Sequence, residues 1–159
     1  MPSVSVYDIV VTVVHLGLAG IGIWLLAIDA RTHRLPNRIV LPTLGASLVL
    51  ACADALVTQR TGALIGALAG MLILGALYAV LRGTSGGGIG GGDVKLAALI
   101  GLVLGWHGWQ VLVIGAASAF VLGALYALAL MALRRANRST RIAFGPWMII
   151  GAVLGIAVG

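Results

Sequence analysis

Glutamate is absent from this 159-residue chain, and its four acidic side chains are Asp8, Asp29, Asp54 and Asp93. Any chemistry that needs a carboxylate has only these candidates. A single cysteine, Cys52, excludes an internal disulfide framework and a paired-cysteine zinc site. Charged residues make up 9% of the sequence, against roughly 25% in ordinary soluble domains, which excludes a conventional water-soluble fold. The formal charge of +6 does not point to nucleic acid. Its basic residues fall in short loops between apolar segments, not along a stripe interleaved with aromatic side chains.

What fills the chain is apolar: 61% hydrophobic residues and a mean hydropathy of +1.15. An apolar run of about 20 residues, rising 1.5 Å per residue, spans a ~30 Å hydrocarbon core. The runs predict an all-α polytopic membrane protein of one domain, residues 1–159, with six spans at about 9–28, 39–57, 62–81, 94–106, 109–133 and 142–158. The first run is expected to be a retained helix, since no basic residue precedes it and no small-residue cleavage site follows. Pro36 discourages the first helix from continuing, and Pro42 is placed in the first turn of the second. A tight turn at Gly105-Trp106-His107-Gly108 divides the fourth span from the fifth, with Trp106 and Trp109 suited to an interface. Gly62, Gly66 and Gly70, and Gly101 with Gly105, have the spacing that lets helices approach closely in lipid.

Six spans place nine of the ten Lys and Arg residues on one side and only Arg60 on the other. By the positive-inside rule the nine are cytoplasmic and both termini lie outside. The arginine loops are then expected to set topology and touch anionic lipid. The same assignment brings Asp29 and Asp93 to the cytoplasmic ends of two helices, while Asp8 and Asp54 fall towards the far face.

Gly86 to Leu96 reads Gly-Gly-Gly-Ile-Gly-Gly-Gly-Asp-Val-Lys-Leu. An ionisable residue between a glycine run and a membrane helix is costly to bury and usually marks function. Two carboxylates at one depth can share a proton, one serving as base on water while the other donates to a carbonyl. Asp29 and Asp93 are therefore the candidate catalytic pair for peptide hydrolysis, with no metal or other cofactor required. The plainer alternatives are an ion pair of Asp93 with Lys95 or a loop arginine, and a helix cap or loop ion pair for Asp29. Gly86 to Gly91 also satisfies G-x-G-x-x-G, but no strand precedes it and an acid follows where a phosphate loop needs lysine.

Three segments, Asp29-Ala-Arg-Thr-His-Arg-Leu-Pro-Asn37, Gly90-Gly-Gly-Asp-Val-Lys-Leu96 and Phe144-Gly-Pro146, together resemble the type IV prepilin peptidases, which are GxGD-type intramembrane aspartyl proteases. The resemblance extends from the first helix to the sixth. It implies an endopeptidase of the bacterial inner membrane that removes the short leader from prepilin or pilin-like precursors at the cytoplasmic face, with Asp29 and Asp93 catalytic. Many such proteins also carry a paired-cysteine segment and methylate the new N-terminus. This chain looks more like the short peptidases of Flp or tight-adherence pili, and methylation is not part of the expectation. Ala143 departs from the pattern, which would place proline there.

Gly90, Gly91 and Gly92 are candidate substrate-binding positions, because a peptide backbone can approach where side chains are missing; a flexible connector is the alternative. Lys95 is a candidate contact for substrate or for Asp93, and equally a snorkelling lysine. His33 and His107 fall on opposite sides, and His15 lies within the first helix, so a three-histidine metal site is not expected. The competing functional readings are a proton-coupled transporter or channel component, in which the same aspartates relay protons, and a non-enzymatic envelope assembly factor.

Overall fold

The computed structural model describes residues 6–32, 35–84, 89–134 and 143–159, with Val6 and Asp8 by backbone alone. Among them the chain forms helices and no strand: α1 (Val6–Thr32), α2 (Asn37–Thr58), α3 (Thr61–Thr84), α4 (Gly91–His107), α5 (Trp109–Ala132) and α6 (Gly145–Val158). Helices α1, α2, α3 and α5 are long and apolar enough to cross a membrane. Helix α4, with 17 residues, and α6, with 14, are shorter. Large apolar side chains such as Leu16, Ile23, Val49, Leu56, Ile65 and Val113 face outward. Such a surface is stable against hydrocarbon and unstable against water. The chain is an all-α polytopic membrane protein.

Most helices run past the apolar runs that predicted them. Apolarity marks only the hydrocarbon section, whereas backbone hydrogen bonding continues into polar residues beyond it. Helix α1 continues to Thr32, so Asp29 lies in its last turn, just past the apolar run. Helix α3 continues to Thr84 and α4 begins at Gly91, which shortens the glycine connection expected over residues 82–92. Because α2 starts at Asn37, Pro42 sits in its second turn, where it removes the bond that would end on the Arg38 carbonyl. Pro36 caps that helix, its carbonyl accepting from the Ile39 and Val40 N–H groups. Helix α6 starts at Gly145, later than the expected 142, and Pro146 occupies its first turn, where no N–H partner is needed. His33 and Gly86, Gly87 and Gly88 lie outside the described residues.

Helix α4 is the centre of the bundle and packs against α2, α3, α5 and α6. Its closest neighbour is α3, and the reason is a glycine seam. A Cβ on Gly70 or Gly101 would overlap the carbonyl of the other, and the same holds for Gly66 and Gly105. Close approach of this kind lets dispersion forces and backbone contacts hold helices together where lipid removes any hydrophobic drive. Gly62 faces open space and takes no part in the seam, contrary to its spacing. A second seam joins α5 to α6 through Gly115, Gly151 and Gly155. Helix α1 is peripheral and leans on α6.

The turn between α4 and α5 is tighter than expected, since Gly105, Trp106 and His107 stay helical and Gly108 alone breaks the chain. Its φ of 127° is open only to glycine at low cost. Beside this turn the Arg60 guanidinium lies 5.5 Å from the centre of the Trp106 ring, a cation–π contact.

Candidate active site

At the opposite end of α4 from that turn, Asp29, Leu35, Asn37, Arg82, Gly90, Gly91, Gly92, Asp93 and Lys95 line one cavity of about 380 Å³. Four helices and the Leu35-Pro36 connection contribute to it. All six residues singled out from sequence are here: both aspartates, the three glycines and Lys95. Leu35, Asn37 and Arg82 had no separate role in that reading.

Asp93 occupies the first turn of α4, just ahead of the apolar run that begins at Val94. Its Oδ2 accepts a hydrogen bond from the Gly90 N–H at 2.9 Å, so the carboxyl caps its own helix. Burial pushes the Asp93 carboxyl above the usual carboxylate range; the Gly90 N–H pulls it down, and the nearby charge of Asp29 raises it further. Desolvation outweighs the cap. A helix cap is the plainer alternative expected for Asp29; the carboxyl that caps a helix in this way is Asp93.

Asp29 is only 3% exposed. Its Oδ2 accepts the Gly145 N–H at 3.1 Å, at the start of α6. This is the structural meaning of Phe144-Gly145-Pro146. The Gly145 N–H is one of the donors that a helix leaves unpaired in its first turn, and a Cβ on Gly145 would overlap the Asp29 carboxylate. Behind it Phe144 packs with Tyr78 and Phe120, ring centres 5.6–5.9 Å apart, against Gly123. That aromatic wedge fixes where α6 begins.

The Leu35-Pro36-Asn37 segment has an equally specific use. A Cβ added to Gly92 would stand 2.7 Å from the Leu35 Cβ, so the connection after α1 lies directly on the start of α4. Lys95 Nζ donates to Asn37 Oδ1 at 2.8 Å and ties α4 to α2. Gly91 is covered by the Arg82 guanidinium, and a Cβ there would overlap it. Sequence spacing could not assign these pairings, because they join segments 9 to 58 residues apart. The signal available was the presence of small and amide side chains in the two motifs.

Among the described residues no set of three His, Cys, Asp or Glu side chains comes together as a metal site. Asp54 does not line the cavity, and its Oδ2 is buried without a hydrogen-bond partner. Arg60 faces the Trp106 ring.

Two aspartates from separate helices, brought to one polar cavity at the end of a membrane bundle, make a two-carboxylate site with the groups for acid–base chemistry. The type IV leader peptidase family model matches residues 16–128. The chain is 36% identical over 140 residues to a prepilin leader peptidase/N-methyltransferase of Dickeya chrysanthemi, an alignment covering 87% of this chain and 48% of that protein. To a protein of the same name from Pseudomonas aeruginosa it is 34% identical over 133 residues, covering 83% and 44%. The chain belongs to the type IV leader peptidase family. It spans about half the length of the curated relatives it matches. No solved structure matches it.

Proposed function

We propose that this protein is an aspartyl endopeptidase that cleaves the leader from prepilin or pilin-like precursors, with Asp29 and Asp93 as the catalytic pair. The observation that carries the reading is their shared cavity, which also holds Lys95, Arg82 and three glycines.

In this mechanism the pair holds one proton. We place it on Asp93, whose carboxyl is raised above the usual range and donates to the oxygen of the scissile carbonyl, while Asp29, its charged form favoured by the Gly145 N–H, takes a proton from the attacking water. The water oxygen bonds to the carbonyl carbon and a tetrahedral diol forms. As the C–N bond breaks, the proton held by Asp29 passes to the leaving nitrogen and one diol hydroxyl gives its proton to Asp93, which leaves the new carboxylic acid and restores the pair. The Gly145 N–H holds the Asp29 carboxylate in one orientation throughout.

Of the three cavity glycines, Gly90 is the least committed to internal packing, meeting only Asp93 and its own neighbours. It is the position at which a substrate backbone can pass closest to the acid. Gly91 and Gly92 line the path while accommodating Arg82 and Leu35. Lys95, held by Asn37, presents its charge to the same cavity. By the distribution of Lys and Arg, the cavity opens on the cytoplasmic side of a bacterial inner membrane and the termini lie on the other. The apolar segment of a precursor would lie in lipid beside the bundle while its polar leader enters.

Purified protein in liposomes, given a pilin-like precursor, is expected to release the leader. Absence of cleavage across several such precursors, with proton flux through the same protein, would transfer the aspartates to a relay role.

A further inference from the structure

The two helices that carry the aspartates also meet at their other ends. His15 on α1 and His107 on α4 place their Nε2 atoms 3.1 Å apart. Asp29 follows His15 by 14 residues and His107 follows Asp93 by 14, about 21 Å along each helix. The helices run antiparallel, with one pair at each end.

The hydrogen bonds of the rings define what lies between them. His15 Nδ1 is 2.7 Å from the Val11 carbonyl oxygen, and His107 Nδ1 is 2.8 Å from that of Val103. A carbonyl only accepts, so each Nδ1 must carry the hydrogen. In a neutral imidazole the Nε2 is then a bare lone pair. Ring centres 5.2 Å apart put both nitrogens between the rings. Two lone pairs face each other at contact distance, an arrangement that is repulsive until a cation enters.

We propose that His15 and His107 form a binding site for one divalent transition-metal ion of the zinc, nickel or copper type, which bridges α1 to α4. Histidine–zinc bonds measure about 2.0–2.1 Å, so two such ligands at a tetrahedral angle stand about 3.3 Å apart, close to the separation seen here. An Nδ1–H held by a backbone carbonyl is the usual support of a histidine ligand, and both rings have it. His107 is exposed and His15 half-buried, which leaves room around the ion for further ligands. Helix α1 otherwise leans on α6, and the bridge would be its side-chain tie to the central helix. This inference does not depend on the peptidase reading.

The test uses the full chain without a polyhistidine tag, in lipid nanodiscs, at a pH above the ordinary histidine range. With copper(II) alone as probe, the electron spin resonance spectrum is expected to show one bound ion per chain with coupling to two imidazole nitrogens. Nickel(II) in about 100-fold excess over its dissociation constant should raise the thermal midpoint by about 4 °C or more. His15→Gln and His107→Gln should each abolish both effects. Should either variant misfold, nickel protection of both histidines from diethyl pyrocarbonate in the parent decides the matter. A parent that leaves copper in its aqueous spectrum, with no protection, would show that the pair takes only a proton and overturn the site. So would a thermal shift that persists in His15→Gln.

Discussion

Gly145 donates its backbone N–H to the Asp29 carboxylate across 116 positions of sequence, in a buried bond of 3.1 Å. The contact exists because residue 145 has no side chain, and it makes the start of α6 part of the site. Gly145→Ala would drive a methyl group into the carboxylate. The expected outcome is a loss of cleavage of about 100-fold or more, the scale at which misplacing a catalytic group by about 1 Å is felt. Gly62→Ala, which meets nothing, should leave cleavage unchanged. Equal activity of the two variants would remove Gly145 from the site.

Titration gives a second prediction. Asp93 is raised by burial and, in smaller part, by Asp29. The folded protein therefore binds a proton more tightly than the unfolded chain between the ordinary carboxylate value of about 4 and the raised one. In that window stability falls as pH rises, and the shared proton is lost above it. Cleavage should decline on the alkaline side of the raised Asp93 value. Infrared titration of the Asp93 carboxyl should show its transition moving to lower pH in Asp29→Asn, where the neighbouring charge is gone. An unmoved transition would contradict the coupling.

Lys95 and Asn37 form the third. Because Nζ is held by Oδ1 at 2.8 Å, Lys95→Met and Asn37→Ala should be non-additive in unfolding free energy. The bond is exposed, so the coupling is expected to be about 1 kcal/mol or less. If Lys95 also meets the substrate, Lys95→Met should raise KM for the precursor more than Asn37→Ala does. Identical KM values in the two variants would confine Lys95 to the α2–α4 tie.

The fourth prediction concerns the glycine seam. Gly70→Ala and Gly101→Ala each place a methyl group against backbone, which cannot move aside as a flexible side chain can. Each should lower stability by about 1–3 kcal/mol or more. Denaturant unfolding in mixed micelles measures this. Gly62→Ala is again the silent control.

Much of this molecule is legible in its sequence, and the limits are physical. The six helices follow from uninterrupted apolar runs, because a membrane leaves the backbone no other way to satisfy its polar groups. Their ends do not follow, since Asp29 to Thr32 remain helical although polar. The candidate aspartates stand out because carboxylates are scarce and costly near hydrocarbon. Their partners do not: Gly145 beside Asp29, Asn37 beside Lys95 and Arg82 over Gly91 depend on helix order in the bundle. The histidine pair was hidden for the same reason. His15 inside one helix and His107 at the end of another give no spacing that announces a meeting.

The most direct test of the account is cleavage of a pilin-like precursor by the purified protein in lipid, comparing the parent with Asp29→Asn, Asp93→Asn and Asp54→Asn. Asparagine keeps the size of aspartate and cannot share its proton. The account predicts cleavage by the parent and by Asp54→Asn, and its loss in the other two while all remain folded. An Asp93→Asn variant as active as the parent would contradict it.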